Sequence, residues 1–146
     1  MQKRAIVVAG KMIQDHEFIY PYYRVQEEGY KVDVAVRNKE TVQGQIGIKI
    51  VPTKHIPELK VADYDLLVIP GGAKAMEYMR QDKDLLKFIA DFHAAGKVIA
   101  CICHGAQLLI SARLVKGRRI SGYYSLRDDI ENAGATYVDE PAVICD

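Results

Sequence analysis

The residues best suited to do chemistry are Cys103 and the His104-Gly105 pair that follows it. An apolar run over residues 98–102 precedes them, and an apolar pattern at helical spacing follows over residues 106–110. A strand that turns sharply into a helix at Cys103 explains both neighbours, because it leaves the thiol at a helix N-terminus, where thiolate is favoured. This is the arrangement of a nucleophile elbow with cysteine in place of serine. A buried structural cysteine in a parallel strand is the alternative, and the local sequence leaves both open.

A second reactive group is Glu17, at the beginning of the first predicted helix. A carboxylic acid at this place could donate a hydrogen bond to the Cys103 thiolate or act as a general acid and base. That role requires a raised pKa for Glu17, and therefore burial beside the sulfur. The alternative is a carboxylate that interacts with the helix macrodipole.

The Gly71-Gly72 pair follows an apolar run and offers backbone N–H groups without side-chain hindrance. These groups could form an oxyanion hole that stabilises the adduct of a thiolate with a carbonyl, although most such pairs are only turns. Neither the dinucleotide-binding nor the P-loop glycine motif is present. His104 adjoins Cys103, but its imidazole need not touch the sulfur, because neighbouring side chains often point apart.

The elements that must position these residues alternate between strands and helices. The predicted strands are residues 5–9, 31–36, 66–69 and the run before Cys103, with short candidates at 119–122, 136–138 and 142–144. The predicted helices are residues 18–28, 82–95, the segment after Cys103 and 127–132. Pro21 is expected in the first turn of the first helix, where its missing N–H does no harm. Residues 41–51 predict a hairpin with Gly44 at the bend.

This alternation predicts an α/β fold with a parallel sheet that is covered on both faces. Ligands of such sheets bind beyond the carboxyl ends of the strands, at a topological switch point. Three loops leave those ends: residues 10–17, Gly71-Gly72 and Cys103-His104. We therefore expect the three loops to converge.

The composition indicates a single globular domain over residues 1–146, with 49% apolar and 27% charged residues. A formal net charge of +1 gives no indication of a nucleic-acid surface, and no apolar run is long enough to cross a membrane. The three cysteines have no CxxC spacing, which favours a reducing, cytoplasmic location. His16, His55 and His93 lack a metal-like spacing, so we expect no metal.

Four blocks of the sequence resemble, in order, the PfpI-type intracellular cysteine peptidases of the ThiJ/PfpI superfamily. They are DHEFIYPYYR (15–24), LLVIPGG (66–72), ACICHGAQLLISA (100–112) and SGYYSLRDDIENAGA (121–135). The resemblance implies a flavodoxin-like, class I glutamine amidotransferase-like three-layer α/β sandwich with a mostly parallel sheet. It also implies a homo-oligomer, either a dimer or a hexamer, that works without a cofactor.

The resemblance also implies roles for individual residues. Cys103 matches the nucleophile, Glu17 the residue that contacts the thiol, and His104 the catalytic histidine of the family. Glu77 matches an acidic residue that reaches the active site of a neighbouring subunit, although this chain has one extra residue between Gly72 and Glu77. Tyr123 matches a tyrosine near the pocket.

One departure concerns the C-terminal part of the chain. Members of the family continue past the equivalent of residues 141–144 into another strand and a closing helix, whereas this sequence ends at Asp146. Either the sequence is a piece of a longer chain, or the domain lacks this strand and helix and part of its sheet must be covered in another way.

Three functions fit these residues. The leading hypothesis is a PfpI-type peptidase in which Cys103 attacks peptide carbonyls. The first alternative is a glyoxalase or deglycase, in which the thiolate adds to methylglyoxal or a glycated adduct and Glu17 moves the proton. The second alternative is a non-enzymatic redox-sensing stress protein or holdase that oxidises at Cys103. A peptide or a small carbonyl compound is the expected partner, with no nucleic acid and no membrane.

Overall fold

The centre of the protein is a five-stranded parallel sheet. The computed structural model describes residues 2–143. The sheet strands are β1 (Arg4–Val8), β2 (Lys31–Val36), β5 (Lys54–His55), β6 (Leu66–Ile69) and β7 (Val98–Cys101). Their order across the sheet is β5-β2-β1-β6-β7. Two smaller pairs are β3 (Val42–Gln43) with β4 (Lys49–Ile50), and β8 (Arg119–Ile120) with β9 (Thr136–Tyr137).

Five α-helices connect and flank the strands in the described part of the chain. They are α1 (Asp15–Glu27), α2 (Ala73–Met79), α3 (Lys83–Ala94), α4 (Ala106–Ser111) and α5 (Arg127–Asn132). The predicted parallel α/β architecture is confirmed. Among these described helices, none combines the length and the apolar character needed to span a bilayer.

The core forms where β1 and β6 are buried on both faces. Ile6, Val7 and Leu67 are fully buried, as their continuous apolar runs predict. The apolar stripe of α3 packs on the same core through Leu85, Ile89 and other side chains. A much smaller cluster of three buried side chains, Ala106, Leu126 and Ile130, joins α4 to the segment around α5.

The first helix begins earlier than predicted, and Pro21 lies inside it rather than in its first turn. The reason is capping: the Gln14 side chain accepts hydrogen bonds from the N–H groups of His16 (2.7 Å) and Glu17 (3.4 Å). Pro21 lacks the N–H that would bond to the carbonyl of Glu17. The early start places Glu17 in the first turn, where its side chain can reach the end of the sheet.

Other differences concern short elements. The sequence patterns did not predict α2, which follows Gly72 and buries Ala75, Met76 and Met79, or the two-residue strand β5. β8 and β9 form as predicted but pair with each other, outside the main sheet. Residues 142 and 143 are not a strand, and Ile144 of that predicted strand lies outside the described residues.

The sheet order explains how the predicted loops meet. β1, β6 and β7 are adjacent and parallel, so their carboxyl ends lie side by side. The loops after these three strands begin at Ala9, Pro70 and Ile102. The predicted convergence of the three loops is therefore observed.

Candidate active site

Cys103, the predicted nucleophile, lies at a sharp turn between β7 and α4. Ile102 is still extended, and its N–H donates to the carbonyl of Ile69 at 3.0 Å. Cys103 then adopts a left-handed backbone with φ = 56°, which is rare for a residue with a side chain, and opens a 3₁₀ turn that leads into α4. The predicted strand-to-helix elbow is present, and its strained backbone is of the kind that clusters at functional sites.

Gly105 allows the elbow to press against the end of β6. A Cβ atom at Gly105 would lie 2.9 Å from the carbonyl oxygen of Ile69 and 3.0 Å from the sulfur of Cys101. Cys101 packs beneath this turn, and burial raises the pKa of its thiol to about 12. The two cysteines therefore have different environments: the side chain of Cys101 packs against the hydrophobic core, whereas Cys103 lies at the turn itself.

Glu17 reaches the elbow from the first turn of α1. Its Oε2 accepts a hydrogen bond from the N–H of Gly71 at 2.8 Å. Its carboxyl group also shares a hydrogen bond with the thiol of Cys103. Only glycine fits at position 71, because a Cβ there would lie 2.3 Å from Oε2 of Glu17 and 2.9 Å from the Cβ of Cys103. The structure thus brings Glu17, Gly71 and Cys103 into direct contact.

The surroundings of the sulfur act in opposite directions on its ionisation. Burial raises the pKa of Cys103, the charge and hydrogen bond of Glu17 raise it further, and the result is about 11. The backbone N–H groups of His104 and Gly72 lower this pKa, because they point at the sulfur and stabilise a thiolate. The raised pKa therefore keeps Cys103 in the thiol form at neutral pH, with the carboxyl group of Glu17 beside it.

His104 contacts the sulfur directly, with 3.3 Å between its Nδ1 and Sγ of Cys103. Burial lowers the pKa of His104, although the charge of Glu17 opposes this, so the imidazole is neutral at pH 7. The ring stacks on Tyr123 with 4.5 Å between centroids, and the N–H of Tyr123 donates to the carbonyl of Cys103 at 3.3 Å. Tyr123 therefore lies at the site and supports the histidine.

The two glycines of the predicted oxyanion hole have different neighbours. Gly72 has φ = 108°, a backbone that side chains rarely adopt, and its N–H faces the sulfur of Cys103. The N–H of Gly71 is bonded to Glu17 instead. The oxyanion role of both residues stays a prediction, and Gly72 has the better orientation for it.

Glu77 lies apart from the other predicted site residues. It is on the exposed side of α2 and pairs with Lys74 of the same helix at 2.6 Å. Its predicted action on a neighbouring subunit, and the predicted homo-oligomer, stay predictions. Among residues 2–143, no group of three His, Cys, Asp or Glu side chains is placed to hold a metal ion.

Sequence reasoning missed two residues next to the site, Asp15 and Gln45. Asp15 is buried at the start of α1 and bonds to the hairpin between β3 and β4. Gln45, in that hairpin, lies beside Gly72. The only signal in the sequence was a glycine at the predicted bend, Gly44, and this did not indicate where the hairpin would dock.

The fold and the site together define a class: flavodoxin-like proteins with a cysteine at a strand-to-helix elbow and a carboxylate from the first helix beside it. The chain belongs to the DJ-1/PfpI family, whose profile matches residues 3–146. The resemblance to the PfpI branch is therefore confirmed.

The chain is similar to several proteins of known sequence or structure. Deglycase PfpI of Pyrococcus furiosus is 35% identical over 141 residues, which are 97% of this chain and 84% of the relative. "Putative cysteine protease YraA" of Bacillus subtilis is 35% identical over 145 residues, 99% of this chain and 85% of that protein. The crystal structure of Drosophila melanogaster DJ-1beta superposes with a TM-score of 0.91 at 26% identity, covering 100% of this chain and 78% of the other.

Proposed function

We propose that this protein is a cysteine-dependent deglycase that removes methylglyoxal-type adducts from amines through Cys103. The observation that carries the proposal is the Cys103–Glu17 pair, which places a nucleophile and a proton carrier in direct contact. Several relatives at 33–36% identity are named deglycases, which favours this activity over the peptidase that the sequence first suggested.

The first chemical step uses the proton of the Cys103 thiol. Cys103 gives this proton to the carboxylate of Glu17 while the sulfur attacks the former aldehyde carbon of the adduct, which carries the amine. A C–S bond forms, the C–N bond breaks, and Glu17 passes the proton to the departing amine. Glu17 then moves the hydrogen of this carbon to the neighbouring ketone carbon as a proton, while the hydroxyl proton moves to the ketone oxygen, and water hydrolyses the resulting thioester to lactate and the free thiol. The N–H of Gly72, which faces the sulfur, is suitably placed to stabilise the developing oxyanion.

The overall reaction needs no cofactor or external oxidant. The adduct of methylglyoxal with an amine consumes one water and gives the free amine and lactate. The aldehyde carbon is oxidised while the neighbouring ketone carbon is reduced, so the electrons balance within the substrate. Neutral His104, 3.3 Å from the sulfur, keeps the thiol oriented toward Glu17 and Gly72 through these steps.

Peptide hydrolysis is the second candidate function. The same cysteine and N–H groups could serve acyl transfer, and one relative carries a protease name. Peptidase activity additionally requires a proton for the leaving amine, which His104 or the predicted partner residue Glu77 would have to supply. Oxidation sensing at Cys103 stays a prediction.

The test uses freshly prepared methylglyoxal adducts of N-acetyl-lysine and of a fluorogenic peptide, and it follows free amine, lactate and peptide cleavage separately. We expect the wild type to release amine and lactate in equal amounts, and Cys103→Ala to lower this rate by at least about a thousandfold. Cys101→Ala is the matched control, and it retains the rate because its sulfur packs beneath the turn.

Release at the same rate by Cys103→Ala would overturn the proposal. The proposal would also be overturned if the protein consumed only free methylglyoxal and the adduct then dissociated by itself. A parallel measurement of the free methylglyoxal concentration detects this case. Cys103-dependent cleavage of the unmodified peptide, without lactate, would establish the peptidase instead.

A further inference from the structure

The hairpin turn, defined here as residues 44–48 between β3 and β4, docks on the loop between β1 and α1. The N–H of Gln45 donates to the carbonyl of Ile13 at 3.0 Å, and the N–H of Met12 donates to the carbonyl of Gln43 at 2.8 Å. The same loop continues into Gln14 and Glu17. The hairpin turn is therefore attached to the segment that carries the proton carrier of the site.

Asp15 holds the hairpin turn from below. Its side chain is buried, with 4% of the residue exposed, and its two carboxylate oxygens accept the N–H groups of Ile46 (2.8 Å) and Ile48 (2.7 Å). Burial would raise the pKa of Asp15, but the backbone donors outweigh it and lower the pKa, so the group stays charged. Gly44 permits this contact, because a Cβ there would lie 2.6 Å from the carboxylate.

The result of this docking is the position of the Gln45 side chain. Its Nε2 lies 3.2 Å from the point where a Cβ of Gly72 would be, while the N–H of Gly72 faces the sulfur of Cys103. Gln45 is exposed, so its amide is open to a molecule that approaches the thiol. A primary amide can both donate and accept a hydrogen bond.

We propose that Gln45 binds the polar group next to the attacked carbon of the substrate, and that Asp15 is the positioning residue that holds Gln45 in place. The inference deepens the proposed function, on which it rests for the identity of the substrate. In a methylglyoxal adduct, the polar group is the oxygen on the carbon beside the reacting one. Gln45 thereby favours substrates that carry polar groups on two adjacent carbons over simple aldehydes and ketones.

The test measures labelling of Cys103 by two chloromethyl ketones, and so does not depend on turnover. In both reactions the sulfur displaces chloride, a C–S bond forms and the thiol proton leaves through Glu17 to solvent. N-acetyl-alanyl chloromethyl ketone carries an amide beside the ketone, whereas chloroacetone carries a methyl group. Intact mass against time gives the half-saturation concentration and the maximal rate for the first compound, and a second-order rate constant for the second.

Gln45→Ala is expected to raise the half-saturation concentration of the amide-bearing ketone by about fivefold to tenfold, as the loss of one hydrogen bond does. The maximal labelling rate and the rate with chloroacetone stay unchanged. Asp15→Asn raises the same concentration, and the double variant raises it no further than the larger single effect, because both changes remove one contact. Gln43→Ala, an exposed glutamine in the same hairpin, is the matched control and has no effect.

An unchanged half-saturation concentration in Gln45→Ala overturns the proposal, as does an equal loss with chloroacetone. Gln45 is exposed, so its variant folds even where Asp15→Asn does not, and it decides the question alone. A failure of the proposed function can be distinguished from a failure of this inference. In the first case the wild type does not convert the adducts, but the labelling of Cys103 still shows whether Gln45 binds the amide-bearing ketone.

Discussion

The two sides of the thiol site come from parts of the sheet that are packed in different ways. β1 and β6 lie in its interior, and Val7 and Leu67 are completely buried there. β7 lies at the edge of the described sheet, and its residues alternate between exposed and half-buried, with Val98 65% exposed. Glu17, Gly71 and Gly72 follow the interior strands, whereas Cys103 and His104 follow the edge strand.

This difference shows how the sulfur is positioned. The carboxylate and the N–H groups are carried by a tightly packed framework, so they are fixed before any substrate binds. The sulfur has less packing around its strand and depends on backbone contacts: the left-handed Cys103, the Ile102–Ile69 hydrogen bond and the close approach of Gly71. Three sets of substitutions test this difference between the two sides of the site.

The largest effect is expected at the junction of the two sides. Gly71→Ala inserts a methyl group 2.3 Å from Oε2 of Glu17 and 2.9 Å from the Cβ of Cys103, and the backbone at Ile102 blocks its other side. We expect kcat/KM for adduct removal to fall by about 100-fold or more, because a displacement of about 1 Å can cost that much.

The matched control for this change is Gly122→Ala, whose Cβ would meet its neighbours at 3.4 Å, including the carbonyl of Cys103. We expect Gly122→Ala to keep kcat/KM within about twofold of the wild type, because the added methyl group makes only ordinary van der Waals contacts. Activity near wild type in Gly71→Ala would mean that the contact between Glu17 and Cys103 is not needed.

The second change compares one residue type in the two kinds of strand. Val7→Ala in β1 removes buried methyl groups and should lower the free energy of unfolding by about 2 kcal/mol. Val98→Ala in β7 should lower it by less than about 0.5 kcal/mol, because its side chain is mostly exposed. Urea unfolding at constant m-value measures both, and equal losses would show that the edge strand is packed as tightly as the interior.

The smallest effect concerns the charge that links the two sides. The thiol of Cys103 has a pKa raised to about 11, in part by the negative charge of Glu17. Its alkylation rate should therefore continue to rise with pH well above 8.5, the ordinary pKa of a thiol. Glu17→Gln removes the charge, so the midpoint of the alkylation profile should move to lower pH.

Alkylation by iodoacetamide over pH 6–12 gives both profiles, and Glu28→Gln, on the exposed end of the same segment, is the control. If the alkylation profiles of the wild type and Glu17→Gln have the same midpoint, Glu17 does not raise the pKa of the Cys103 thiol. A wild-type alkylation rate that is already maximal near pH 7 would mean that Cys103 is a thiolate at neutral pH and that its pKa is not raised.

Much of the fold could be predicted because hydrophobic periodicity is a local property of the chain. The runs that form β1, β2, β6 and α3 were recognisable, and the parallel order of the sheet followed from their alternation with helices. The short elements were not, since α2 and β5 are formed by packing and pairing with distant residues rather than by their own pattern. Pro21 was misplaced because the cap that starts α1, Gln14, is not one of the usual capping residues.

For the site, the residue types of Cys103, Glu17, His104 and the Gly71-Gly72 pair were readable in the chain, and strand order brought their loops to one edge. The contacts between them were not readable, because Glu17 and Gly71 are 54 residues apart and Asp15 and Ile46 are 31 apart. The folded structure is needed to see that the N–H of Gly71 bonds to Glu17, that the N–H of Gly72 faces the sulfur, and that Gln45 lies beside Gly72. Such contacts depend on the relative positions of backbone segments that meet only after the sheet has formed.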